Sequence, residues 1–301
     1  MHPVLSGESI LSMARVLLLL AVLAVFHTAN AQMMESELVA GVNMTTLTMQ
    51  RVPYNADIPL NAFLTYDNRT NVARPAIIIV PDSDGNGPYE QWRAMQLANL
   101  GYVAMVADVF GANITQGPSL PSSNRSAFVQ TLLGNPALLR SRMVAAINTV
   151  KTLPVTNGSQ IAAIGYCLGG SAMVELARAN VSGLLGVVGF HPGQLNTTGS
   201  KIAPGAIVKI ALHSGNLDIP NGKPEFVAEM AAANVTWEFH EYSNTPHAFT
   251  NPTNVPGTAR SAYNRQADMR SWASMRTFFL ELFGKVPMSN IYTYSMAGSA
   301  L

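Results

Sequence analysis

Residues 161–179 read IAAIGYCLGGSAMVELARA, from Ile161 to Ala179. The opening residues are apolar or small, as in a buried strand, and the run from Ser171 has the composition of a helix. Between them Gly165-Tyr166-Cys167-Leu168-Gly169 fits the G-x-nucleophile-x-G turn, with Cys where Ser is commoner. Such a turn needs a strand before it and a helix after it, and this stretch supplies both. The glycines let neighbouring backbone approach a sharply bent residue. The helix start places unpaired N–H groups and a positive dipole end beside the sulfur, which favours thiolate, the reactive form. Cys167 is the only cysteine in 301 residues. A buried structural Cys in a Gly-rich turn would look the same over five residues. The strand–turn–helix setting separates the two readings and favours a nucleophile.

Working outward, short apolar runs alternate with longer helical ones. Thr45–Val52 and Ile58–Tyr66 predict an opening antiparallel hairpin. Ala76–Val80 (AIIIV) is apolar throughout, as expected for a strand covered on both faces. A helix over Tyr89–Leu100 and a strand over Tyr102–Val109 follow. Gly111–Gly134, rich in Pro, Ser, Asn and Gly, reads as a long excursion suited to a lid or substrate loop. Then come a helix over Pro136–Thr152, a strand over Gln160–Ile164 and the elbow. Strands at Leu184–Phe190, Ala206–His213 and Val235–Tyr242 and helices at Pro224–Ala233 and Ala267–Phe283 complete the series. This alternation predicts an α/β fold, one domain with a mostly parallel sheet flanked by helices.

Composition sets the surroundings. Hydrophobic residues make up 48% of the chain and charged residues 12%, about half of the roughly 25% usual for soluble domains. A net charge of +1 provides no field to attract nucleic acid or an anionic membrane, so neither is expected as a partner. Arg15 precedes the apolar run Val16–Phe26, and Ala29-Asn30-Ala31 has small residues where a signal peptidase reads. The run is well short of the roughly 20 residues a membrane span needs. Residues 1–31 are therefore expected to be a cleaved secretory signal, with Met13 as an alternative start, followed by a domain over 32–284 and a short tail over 285–301.

Eight N-x-Ser/Thr sequons, at Asn43, Asn68, Asn113, Asn124, Asn157, Asn180, Asn196 and Asn234, fit a secreted glycoprotein, and glycans would solubilise a surface poor in charge. A lone Cys excludes an internal disulfide, which is unusual on an oxidising route. The free thiol asks for a chemical explanation.

A cysteine nucleophile of this kind needs an acid and a base further along the chain, in that order. Asp218 lies in LHSGNLDIP, just past the Ala206–His213 strand, and His247 lies in NTPHAFTNP, after the Val235–Tyr242 strand. Both fall on loops after strands, at the sheet edge that holds the elbow and where ligands bind in open parallel sheets. His247 is placed to take the thiol proton and return it to the leaving group, with Asp218 fixing the imidazole tautomer. His191 and His213 end strands and read as hydrogen-bonded turn residues, and His240 lies within a strand. The histidines lack metal-ligand spacing, and GNGP at Gly85 does not open a dinucleotide fingerprint, so no metal and no cofactor are expected.

At these residues the chain resembles the dienelactone hydrolase family, thiol-nucleophile members of the α/β-hydrolase superfamily. The resemblance spans about Asn61 to Gly284. It is carried by IGYCLGG, HSGNLD and PHAFTNP in that order, supported by PDSDGNGPYEQWRA, LGYVAMVADVFG, NPALLRSRM and ADMRSWASMRTFF. It implies an α/β-hydrolase fold and a Cys167–Asp218–His247 triad acting through a thioester. It also implies an oxyanion hole from the backbone N–H of Leu168 and, by position, of Ser83. Asp82 matches a loop carboxylate that interacts with the resting thiol in the family. Members that cleave dienelactone clamp its carboxylate with arginines, one of them four residues after the catalytic His. Asn251 stands there and cannot supply a cationic fork. Arg140 and Arg142 read as helix-surface charge rather than as replacements, so the anionic lactone is not the expected substrate.

Two functions follow. The first is a secreted, cofactor-free hydrolase that cleaves a small ester or lactone through a cysteinyl acyl intermediate. The alternative is a catalytically weak secreted glycoprotein that uses the same fold for binding or structure. Redox sensing by the thiol ranks below both, because no resolving Cys is present.

Overall fold

The computed structural model describes residues 44–112, 122–195, 200–254 and 261–284. The expected signal segment, the tail over 285–301 and the sequons at Asn43, Asn113 and Asn196 lie outside these residues. Among the described residues, no helix is long and apolar enough to cross a membrane.

The chain opens with strands β1 (Leu47–Asn55) and β2 (Pro59–Asp67), an antiparallel hairpin as the alternating pattern predicts. Next come β3 (Arg74–Val80), α1 (Pro88–Asn99), β4 (Val103–Val106), α2 (Ser122–Gly134), α3 (Pro136–Lys151) and β5 (Thr156–Tyr166). The remainder is α4 (Leu168–Arg178), β6 (Leu184–Phe190), β7 (Lys209–Gly215), α5 (Lys223–Ala233), β8 (Trp237–Tyr242) and α6 (Arg265–Phe283). One eight-stranded sheet has the order β1-β2-β4-β3-β5-β6-β7-β8, with β3 to β8 running parallel and β2 antiparallel to β4.

Burial accounts for the central strands. Ile77, Ile78, Ile79 and Val80 of β3 are all fully buried, so both faces of this strand are covered. At about 1.5–3 kcal/mol per large aliphatic side chain, such strands carry much of the driving force for folding. Because six neighbouring strands run the same way, their C-terminal ends open onto one edge. The loops after β3, β5, β6, β7 and β8 meet there.

Two expectations need correction. Within the Gly111–Gly134 excursion, residues from Ser122 onward form the helix α2. Its sequence SSNRSAFVQTLLG has almost no apolar periodicity, so tertiary packing of residues such as Leu132 rather than an amphipathic pattern fixes it. Arg140 and Arg142 are not loose helix-surface charge. Arg142 is largely buried and forks onto Asp57 at 2.7 and 2.8 Å while donating to Val109 O at 2.7 Å. Arg140 pairs with Glu175 at 2.6 Å. Glu175 also pairs with Arg178, and Arg178 reaches Glu229 on α5 at 2.6 Å. This buried network fastens α4, the helix that follows the nucleophile, to its neighbours.

Candidate active site

The elbow forms where the sequence places it. Cys167 has φ 51° and ψ −105°, a conformation that L-residues rarely adopt, and α4 starts at the next residue. Close packing explains the flanking glycines. A Cβ on Gly165 would stand 2.1 Å from Gly169 O, and one on Gly169 would stand 2.0 Å from Val80 O. The half-buried thiol therefore sits at the C-terminal ends of β3 and β5.

The acid and base arrive from the next strands. Asp218 lies in the turn after β7, where its backbone N–H donates to Gly215 O and its carbonyl accepts from Ser214 Oγ. His247 lies in the loop after β8. The two loops are tied directly, since Leu217 N–H donates to Thr245 O at 3.1 Å. Gly215 permits this approach, because a Cβ there would be 2.0 Å from Thr245 O. Asp218 Oδ2 stands 2.5 Å from His247 Nδ1. Burial alone would lower the His247 pKa. The Asp218 hydrogen bond and charge, with a further contribution from Asp82, outweigh it and leave the imidazole above its ordinary value.

The thiol does not follow the expectation drawn from the helix dipole. Burial pushes Cys167 well above the usual thiol range. The Asp82 carboxylate pushes in the same direction, by its charge and by hydrogen bonding to the protonated form. The Leu168 N–H acts the other way and is outweighed. At rest Cys167 is a protonated thiol under the influence of a neighbouring carboxylate.

The two expected oxyanion donors differ. Leu168 N–H faces the sulfur, whereas Ser83 N–H is taken up by Oδ1 of Asp82. The loop carrying both residues is braced by Glu90, a buried side chain that accepts from Gly87 N–H at 3.2 Å and Asp82 N–H at 3.4 Å. Burial, then the charges of Asp84 and Asp82, drive Glu90 well above the usual carboxyl range, while burial and Asp82 push Asp84 up to about 6. Asn251, at the position of the missing arginine, caps its own turn by accepting from Thr253 N–H and Oγ1.

Sequence reasoning singled out Cys167, Asp218 and His247, which the structure brings to one sheet edge, and missed the side chains that hold them there. Glu90 is one. His191 is another: it is a hydrogen-bonded turn residue, as read, but its ring accepts the N–H of Cys167 at 3.1 Å. Tyr89, Arg93 and Thr250 form a third group behind the base loop. Among the described residues, no cluster of His, Cys, Asp and Glu has the makings of a metal site.

A parallel sheet with a strained nucleophile elbow after β5 and an Asp–His pair after β7 and β8 defines the α/β-hydrolase class. The model of the "Dienelactone hydrolase family" matches residues 60–283, and the chain belongs to that family. It is a hydrolase of ester or lactone bonds. The solved structure of m3DLH is 29% identical, superposes with a TM-score of 0.71, and covers 79% of this chain and 99% of its own. An uncharacterised protein of Caenorhabditis elegans is 30% identical over 150 residues, which is 48% of this chain and 94% of that protein. A protein of Bradyrhizobium sp named as a probable 2-oxo-3-(5-oxofuran-2-ylidene)propanoate lactonase is 24% identical over 210 residues, 66% of this chain and 84% of its own.

Proposed function

We propose that the protein hydrolyses a small, uncharged ester or lactone through a thioester on Cys167, with His247 as base and Asp218 as its orienting acid. The observation that carries this reading is the convergence of the strained Cys167 elbow with the 2.5 Å Asp218–His247 pair on one sheet edge. The family and the lactonase named above support ester or lactone chemistry.

The resting geometry suggests how the thiol is switched on. A substrate carbonyl oxygen seated between Leu168 N–H and Ser83 N–H must displace the Asp82 carboxylate from the Ser83 N–H. The charge that keeps the thiol protonated moves away with it. Nε2 of His247 then takes the thiol proton as sulfur attacks the carbonyl carbon, and the oxyanion forms against the two N–H groups. Collapse breaks the ester C–O bond, and His247 protonates the leaving oxygen. Water, deprotonated by His247, attacks the thioester and releases the acid and the thiol.

The substrate acyl group is uncharged on this reading. The Asp82 and Asp218 charges both act on the thiol, Asn251 stands where a cation would, and Arg140 and Arg142 are committed to Glu175 and Asp57. Secretion and glycosylation belong to the same proposal. The sequon residues Asn68, Asn180 and Asn234 are exposed and Asn157 is half-buried, so each described sequon side chain reaches solvent. Turnover of p-nitrophenyl acetate by wild type and Cys167→Ala tests the reaction. Undiminished turnover by the variant would sink it. Endoglycosidase digestion of protein secreted from eukaryotic cells tests the glycans by a fall in mass.

A further inference from the structure

A second histidine stands inside the site and lies outside the triad. His191 is 1% exposed and follows β6 with φ 39°, a left-handed conformation that is uncommon for a non-glycine residue. Its backbone N–H donates to His213 O on β7 at 2.7 Å. Its ring Nδ1 accepts the backbone N–H of Cys167 at 3.1 Å, a donor shared with Phe190 O at 3.0 Å. This fixes the tautomer. With Nδ1 bare, the ring proton sits on Nε2, which donates to Thr250 Oγ1 at 2.8 Å. Burial first, and then the neighbouring His247, hold His191 well below the usual imidazole range, so the neutral form is the one present.

Thr250 lies three residues past His247 and is held from other directions as well. Tyr89 Oη donates to its hydroxyl at 2.7 Å. Arg93 Nη2 donates to its carbonyl at 2.8 Å while pairing with Asp268 at 2.5 Å. The His191 ring also packs edge-on against the His247 ring, with centroids 5.1 Å apart and planes at 70°.

We propose that His191 is a positioning residue: one neutral imidazole spans from the nucleophile's own N–H to the loop that carries the base, and so sets the separation of the Cys167 thiol from His247. The inference rests on the Cys167–His247 chemistry proposed above. His191 is not itself a base, because its one ring lone pair is committed to Cys167 N–H. Thiol-to-imidazole proton transfer is steep in distance, and a misplacement of about 1 Å costs on the order of 100-fold in rate.

The test is the kcat and KM of wild type, His191→Phe, Thr250→Val and the double variant with p-nitrophenyl acetate, with Cys167→Ala as chemical control. Phe keeps the ring packing and cuts both hydrogen bonds. His191→Phe is expected to lower kcat about 10- to 100-fold with KM changed less than about twofold. Thr250→Val is expected to lower kcat by a smaller factor. The double variant should be no worse than His191→Phe, since both substitutions cut the same tie. If His191→Phe is insoluble, His191→Gln is read the same way, because its side chain cannot hold both partners. Unchanged kcat in the His191 variant, or losses that multiply in the double variant, overturns the inference when Cys167→Ala is inactive. An active Cys167→Ala overturns the catalytic reading, and this inference with it.

Discussion

The Asp82 carboxylate accepts the backbone N–H of Ser83 and at the same time raises the pKa of the Cys167 thiol, so one side chain both occupies that N–H and keeps the thiol protonated. Without substrate, alkylation by iodoacetamide should therefore be slow at pH 7 and accelerate only well above the ordinary thiol range. Asp82→Asn removes the charge, and its alkylation curve should shift to lower pH, with a rate at pH 7 at least about tenfold above wild type. Equal curves for the two proteins would contradict the role given to Asp82.

His247 carries the opposite kind of perturbation. A base must be unprotonated to act, and the Asp218 hydrogen bond and charge raise its pKa despite burial. The kcat/KM for p-nitrophenyl acetate should climb with pH along a limb centred above about 6.5. In Asp218→Asn burial prevails, so the limb should move to lower pH, and the plateau should fall by about 10²–10⁴-fold. A variant plateau within a factor of about three of wild type would remove Asp218 from the machinery.

Stability should depend on the network behind the elbow. Glu175 is 2% exposed and pairs with both Arg140 and Arg178. Removing it takes one of two carboxylates from the buried Arg178 guanidinium, which Glu229 still holds, so Glu175→Ala should lower the unfolding free energy by about 1.5–3 kcal/mol, read from urea midpoints at constant slope. A loss below about 1 kcal/mol would show that these charges are better solvated than their burial implies.

Acid should weaken the fold through buried histidines. Burial, then His240, pushes His213 down to about 3, against about 6.5 when unfolded. A depressed folded value means that stability is present above pH 6.5 and is lost progressively as pH falls from there towards 3. His191 acts in the same direction. His247 acts in the other, since its raised folded value contributes stability below about 6.5 that is lost as pH rises through that value. The urea midpoint should fall between pH 6.5 and 4.5, and His213→Phe, which keeps the stack on Phe190 and His240, should flatten that fall. An equally steep fall in the variant would place the acid sensitivity elsewhere.

The elbow was legible because its glycines, strand and helix are contiguous, and Asp218 and His247 were legible because each falls in a turn just past a strand-like run. What stayed hidden depends on contacts distant in sequence. His191 meets Cys167 across 24 residues and Thr250 across 59, through a left-handed backbone that no local pattern announces. Arg142 looked like surface charge because Asp57, its partner, lies 85 residues away. The thiolate expectation failed on magnitude: a helix start contributes about 0.3–1 kcal/mol, less than burial beside a carboxylate. α2 lacked apolar periodicity, so composition alone made it read as loop.

The central claim is a covalent acyl group on Cys167. Rapid mixing of enzyme with excess p-nitrophenyl acetate, quenched in acid and followed by peptide mass spectrometry, tests it most directly. The account predicts a stoichiometric burst of p-nitrophenol and an acetyl adduct on the peptide containing Cys167, both absent from Cys167→Ala. Turnover with no adduct on that peptide, or a burst that survives in Cys167→Ala, would contradict it.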